Sequence, residues 1–306
     1  MVIPLATSLI LIIMILVAVA FLTLMERKIL GSIQIRIGPN KVGLEGILQP
    51  FSDAMKLYSK EKNLPMKSSK KIFFLSPMLG LSIALLTWVI VPYMKPMYMI
   101  NLGLMAYMSL LGMGVYILML EGWSSNSAYA LIGAMRCVAQ TISYEVTMIF
   151  IILSMFTLNE SMSFYSFSEN QTYLWFMFLI PNFLMWIMVM LAELNRTPFD
   201  FGEGESELVS GFNVEYSGPG FAMIFMTEYA MILLAGIMTT VMFLGADFYS
   251  FFFYLKSSLI SFSIIWIRGT LPRFRYDKLM YFTWKKLLPI SLNLLLLNFS
   301  ISLMVT

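Results

Sequence analysis

Val2-Ile-Pro-Leu-Ala-Thr-Ser-Leu-Ile-Leu-Ile-Ile-Met-Ile-Leu-Val-Ala-Val-Ala-Phe-Leu-Thr-Leu-Met25 carries no charge and ends abruptly on Glu26-Arg27-Lys28. A helix that crosses a bilayer needs about 20 mainly apolar residues, and it satisfies its own backbone where no water can. Seven further stretches meet that condition, at 73–94, 98–120, 137–158, 172–192, 220–245, 249–267 and 287–305. Pro, Gly, Asn and charge clusters between them mark the helix ends. The expected fold is therefore all-α: a polytopic membrane bundle of about eight transmembrane helices, forming one integral membrane domain over 1–306.

Composition agrees. Of 306 residues, 59% are hydrophobic and 12% charged, about half the charge of a soluble domain. The net charge of +3 is small and localised, so nucleic acid is not an expected partner. The chain has no histidine and one cysteine, Cys137. Metal centres and iron–sulfur clusters lean on thiolates and imidazoles. The chain is accordingly expected to hold no metal, flavin or iron–sulfur cluster by itself. No cleavable signal or transit peptide is expected either.

The basic residues test the count of spans. If loops alternate sides, eighteen of the 20 Lys and Arg fall in 26–72, 121–136, 193–219 and 268–286, all on one face. Only Lys95 and Lys256 fall opposite. Such asymmetry marks the cytoplasmic or matrix-equivalent side, and it puts both termini on the other side. Within the first of these loops, Phe51, Ala54, Met55 and Tyr58 recur at i, i+3, i+4 and i+7, against Asp53, Lys56, Lys60 and Lys62. Pro50 suits a first helical turn. This is an amphipathic helix in the membrane interface, either a plain lipid anchor or the cover of an apolar cavity.

Carboxylates carry the chemical signal. The loop Glu193-Leu-Asn-Arg196-Thr-Pro198-Phe-Asp200-Phe-Gly202-Glu203-Gly-Glu205-Ser-Glu207, continuing to Glu215-Tyr216, sets six acids against one arginine on an otherwise basic face. Glu203 and Glu207 stand at i, i+4, where like charges repel. Burial of such a group would let it hold and release protons near neutral pH. Glu145 and Glu228 lie inside spans, where an acid costs on the order of 3 kcal/mol and is commonly part of a proton relay. The basic run Arg268 to Lys278 alternates Arg with Phe and Tyr. It suits an anchor, a docking surface or a partner for the acidic loop. Glu26-Arg27-Lys28 reads as a boundary anchor. No Gly-rich phosphate loop or Ser–His–Asp set is present.

Several of these runs together resemble the chain 1 family of NADH:ubiquinone oxidoreductase, respiratory complex I. They are Glu26-Arg27-Lys28 through Gly38-Pro39-Asn40, Gly46-Ile-Leu-Gln49-Pro50-Phe51-Ser-Asp53, Pro198-Phe-Asp200 through Asn213-Val-Glu215-Tyr216, and Arg268 to Met280. Glu121-Gly-Trp-Ser-Ser-Asn126-Ser and Ala139-Gln-Thr-Ile-Ser-Tyr-Glu145 extend the match along the chain. The resemblance implies a membrane subunit at the junction with the hydrophilic arm, forming much of a ubiquinone chamber. It places Arg27, Asp53, Phe225, Met226 and Arg275 on the quinone path. It places Glu145, Glu193, Glu203, Glu205, Glu207 and Glu228 in an acidic chain that couples quinone reduction to proton pumping.

Implied partners are the other complex I subunits, namely hydrophilic-arm quinone-module subunits and adjacent small membrane subunits, and the lipid bilayer. The implied location is the mitochondrial inner membrane, with the long loops in the matrix and both termini in the intermembrane space. The 28 methionines fit a genome that reads an extra codon as Met, as animal mitochondria do. Departures from the family are small: Gly202 stands where many relatives have Ala, Ile37 where Lys is frequent, and Tyr281 where some have His. A membrane-bound hydrogenase subunit is the nearest alternative. An independent ion transporter predicts internal repeats, and none is visible.

Overall fold

The computed structural model describes residues 2–91, 93, 100–171, 174–202, 204 and 211–305. The described residues form helices α1 (Val2–Ile33), α2 (Gln49–Ser59), α3 (Lys70–Ile90), α4 (Gly103–Ser125), α5 (Ala128–Asn159), α6 (Phe164–Asn170), α7 (Trp175–Phe178) and α8 (Ile180–Glu193). After the acidic loop come α9 (Pro219–Phe243), α10 (Phe251–Thr270), α11 (Tyr276–Phe282) and α12 (Leu288–Val305). Seven of the resulting rods are long and apolar enough to cross a membrane, and Ile180–Glu193 is a shorter apolar helix. The chain is an all-α polytopic bundle, as its hydropathy predicts.

The differences from the sequence reading have local causes. The fifth span is broken at Leu179 (φ −116, ψ 40). Pro181 follows at once, and it has no N–H for the turn before it. The span expected at 137–158 begins at Ala128, just past the left-handed Asn126 (φ 52) that ends α4. Its 32 residues run to about 48 Å, more than the roughly 30 Å of hydrocarbon. Arg136 interrupts the apolar run, which is why the uncharged stretch starts only at 137. The last span starts at Tyr276 and passes through a π-turn, Thr283–Leu287. Pro289, which cannot donate to the carbonyl of Lys285, sits just after that turn. Lys95 and the ends of the spans at 73–94, 98–120 and 172–192 lie partly outside the described residues.

Two helices organise the bundle. α5 packs against α4, α8 and α12, while α9 packs against α1, α2, α3 and α10. Lipid tails are as apolar as leucine, so close packing and hydrogen bonds hold such helices together. Both devices are present. A Cβ on Gly122 would collide with that of Ala134, so α4 and α5 approach closely only because Gly122 has none. Trp88 Nε1 donates to Ala230 O at 3.1 Å between α3 and α9, and Asn182 Nδ2 donates to Ser154 Oγ at 2.9 Å between α8 and α5.

The four charged loops meet at one end. Ser69 N–H donates to Ser124 O, Asn63 N–H to Ser217 Oγ, and Phe274 N–H to Pro198 O. The outward faces of the rods, including Leu9, Ile10, Ile13 and Met14 of α1, are exposed apolar surface.

Candidate functional site

α2 forms where the 3.6-residue pattern predicts it, with its apolar stripe on the exposed side. Phe51, Met55 and Tyr58 point outward, while Pro50, Asp53 and Leu57 turn toward the bundle. The inward turn of Asp53 is explained by Arg27 at the end of α1, whose Nη2 lies 2.5 Å from Asp53 Oδ2. Phe21 of α1 meets Phe51 edge-on at 6.1 Å. α2 therefore covers the seam between α1 and α9. Phe225 and Met226 lie on α9, half-buried against the core. Phe225 stands between Phe221 and Tyr229, with ring centroids 4.3 and 6.2 Å away.

From this seam a string of alternating charge runs inward. Glu26 is 5% exposed and pairs with Arg268 of α10. Glu26 and Arg268 are both electrostatic neighbours of the Tyr229 hydroxyl. The Arg196 guanidinium lies over the Tyr229 ring at 4.8 Å, and its Nη2 stands 3.2 Å from Glu228 Oε2. Sequence reasoning names Glu228 and passes over Glu26, Arg196 and Arg268 as a boundary anchor, a lone loop arginine and a basic loop. Nothing local distinguishes a buried Glu26 from an exposed one, since its partner is 242 residues away.

The string ends at a cavity of about 120 Å³ between the two hub helices, walled by α3, α4, α5, α8 and α9. One water needs about 10–15 Å³, so several fit. Among the described residues, three carboxyls line it: Glu121, Glu193 and Glu228. Glu145, half-buried on α5, is the charged neighbour of Glu193, and its Oε1 lies close to Gly112 of α4. The structure thus brings Glu145, Glu193 and Glu228 into one region. Glu203, Glu205 and Glu207 lie outside the described residues. Hydropathy puts Glu121 just beyond the end of a span, but α4 continues to Ser125 and carries it into the bundle.

The two charged loops hold each other. Arg273 pairs with the buried Asp200 at 3.3 Å, Phe199 stacks on Phe274 at 5.6 Å, and Phe201 meets Tyr276 edge-on at 6.0 Å. The basic run thus pairs with the acidic loop, one of the readings open to it. Fully buried Gln140 donates through Nε2 to Ala192 O (2.9 Å) and Phe199 O (2.7 Å), fixing the loop where it leaves α8. Tyr216 closes the loop, stacked on Phe73 at 4.1 Å and hydrogen-bonded to Ser76 (3.1 Å) and Ser124 (3.3 Å). Burial pushes its hydroxyl up to about 12, against the lowering effect of the two serines. Arg275 is exposed and pairs with Asp277 at 3.0 Å.

This arrangement has close relatives. A family model for NADH dehydrogenase matches residues 6–299. The chain belongs to the NADH dehydrogenase family. It is 57% identical to NADH-ubiquinone oxidoreductase chain 1 of Anopheles gambiae over 293 residues, covering 95% of this chain and 93% of the relative. The chain 1 protein of Locusta migratoria is 53% identical over 97% of this chain and 95% of its own length. That of Balaenoptera physalus is 47% identical, with coverage of 96% and 95%. Family membership therefore extends over the seam, the charged string and the cavity alike.

Proposed function

We propose that this chain forms much of the ubiquinone chamber of proton-translocating NADH-ubiquinone oxidoreductase, and that its buried glutamates carry the coupling of quinone reduction to proton pumping. As a member of the chain 1 family it is a multi-pass mitochondrial membrane subunit of complex I. Its partners are other subunits of that complex, and the substrate of the whole enzyme is ubiquinone.

In this reading the quinone passes the seam under α2. The Arg27–Asp53 pair stands at the mouth, and Phe225 and Met226 line the wall. Arg275 sits at the exposed loop, where the hydrophilic-arm subunits dock. Reducing a quinone takes two electrons and two protons, so charge at the chamber changes with each turnover. The electrons come from other subunits. What this chain supplies is the polar string Arg268–Glu26, Tyr229, Arg196–Glu228, which leads from the chamber end of the bundle to Glu193 and Glu145. Glu203, Glu205 and Glu207 belong to the same acidic loop and are assigned to this path on the family motif. The basic face is assigned to the matrix by its eighteen Lys and Arg.

The single observation that carries the reading is the cavity that gathers Glu193 and Glu228, with the buried Arg196 paired to Glu228. Acids inside membranes are expensive and mark proton or ion pathways. The test replaces Glu228 or Glu145 by Gln in the assembled complex, followed by quinone reductase turnover and proton pumping in sealed vesicles. Persistent assembly with collapsed turnover or pumping is expected. Assembly with normal turnover and pumping in both variants refutes the coupling role.

A further inference from the structure

We propose that Glu121 is a third proton-exchanging carboxyl of the cavity, passing protons between Glu228 and Glu193 through the cavity water. The inference rests on the coupling role given above, and it adds a residue that neither the in-span carboxylates nor the acidic loop supplied.

Glu121 lies four residues before the end of α4 and is 3% exposed. Its side chain faces the cavity from a third helix, with Glu193 on α8 and Glu228 on α9. The charged group it feels is Glu228. Its Oε2 is sealed from solvent and reaches no hydrogen-bond donor among the described residues, and the same holds for Glu193 Oε2 and Asn195 Oδ1. All three residues line the one cavity. Buried oxygens are normally satisfied by protein donors or by ordered water. Here three acceptors converge on a space large enough for several waters, the condition under which water bridging is physically reasonable.

Packing makes room for the carboxyl. Gly80 of α3 faces it, and a Cβ there would stand 3.9 Å from Glu121 Oε1 and 3.3 Å from Ile117 Cγ2. A longer side chain at position 80 would fill that space. On the far side, one oxygen of Glu228 is held by Arg196 at 3.2 Å. Among the described residues, three carboxyls and no basic side chain line the cavity, and protons arriving through water balance their charge. In each transfer an O–H bond breaks on one carboxyl, the proton crosses the water, and an O–H bond forms on the next carboxylate. No electron moves, and total charge is conserved.

The experiment uses the assembled complex in sealed vesicles with Glu121→Gln and Glu121→Asp. Three quantities are read: turnover, protons pumped per quinone reduced, and the carboxyl C=O bands of the redox-difference infrared spectrum. Expected for Glu121→Gln are normal assembly, pumping lowered about threefold to tenfold, and loss of one carboxyl band, with Glu121→Asp restoring much of both. Wild-type pumping together with an unchanged spectrum overturns the proposal. If Glu121→Gln does not assemble, Glu121→Ser, which leaves space for water, takes its place: lowered pumping with a lost band supports the proposal, and wild-type pumping with an unchanged spectrum overturns it. Glu145→Gln and Glu228→Gln run alongside. Normal pumping in both sinks the coupling role itself, whereas collapse there beside an unaffected Glu121→Gln sinks only the role of Glu121.

Discussion

Replacing Arg196 by Met removes the cation that holds Glu228. The guanidinium is 5% exposed and the carboxylate 21%, with 3.2 Å between Nη2 and Oε2. At an effective dielectric near 20, that separation gives an attraction of roughly 5 kcal/mol. Desolvation offsets part of it, yet stripping one partner from a buried pair still costs about 3–5 kcal/mol, because the remaining charge is left uncompensated. Loss of the stacking over Tyr229, at 4.8 Å, adds about 1–2 kcal/mol.

The useful assay is the rate at which solubilised complex dissociates on heating, followed on native gels. Each 1.4 kcal/mol felt at the barrier is about a tenfold change in rate. Arg196→Met is therefore expected to speed dissociation by about a hundredfold or more. Adding Glu228→Gln removes the orphaned charge and should recover at least tenfold of that loss. Dissociation of Arg196→Met within about threefold of wild type would contradict this account of the pair. So would a double variant whose loss is simply the sum of the two single losses.

Three further outcomes follow from single contacts. Gly202→Ala places a Cβ 2.9 Å from Cys137 Sγ, an overpacking expected to cost about 1–3 kcal/mol; Cys137→Ala in the same chain should restore heat stability to within about 1 kcal/mol of wild type. Gln140→Leu removes the amide that bridges the Ala192 and Phe199 carbonyls, which keep the backbone N–H groups of Asn195 and Phe201; two neutral hydrogen bonds lost cost about 2 kcal/mol, and limited proteolysis should then cut the acidic loop faster. Tyr216 keeps its proton to about pH 12 in the fold, whereas an unfolded tyrosine releases it near 10. The stability from this shift is full below pH about 10 and is lost as pH rises toward 12. Heat dissociation measured across that range should steepen less with pH in Tyr216→Phe, which keeps the ring stack on Phe73 and loses about 1 kcal/mol at neutral pH.

Much of this molecule is legible one segment at a time. An uncharged run such as 2–25 has one stable outcome in hydrocarbon, so hydropathy yields the rods and basic-residue counts yield the loops that share a face. The α2 pattern is equally plain, since periodicity of 3.6 is a property of neighbours. What fails locally fails for local reasons: Pro181 breaks a span that composition makes continuous, and the single charge of Arg136 hides the first turns of α5. The acidic loop announces itself by composition, and Glu145 and Glu228 by standing where charge is costly.

Burial of Glu26, the pairing of Arg196 with Glu228, the inward turn of Asp53 and the place of Glu121 emerge only once the helices are packed. Each depends on a group brought in from a distant helix: Arg268 for Glu26, Arg27 for Asp53, and the cavity wall of α3, α8 and α9 for Glu121. A single sequence records the charge of a residue but not the charge across from it. Hydropathy and composition are enough to make the chain a membrane bundle with acids placed where they cost energy. Which of those acids share one cavity is settled by how α3, α4, α8 and α9 come together, because electrostatic coupling falls off with distance in space and takes no account of distance along the chain.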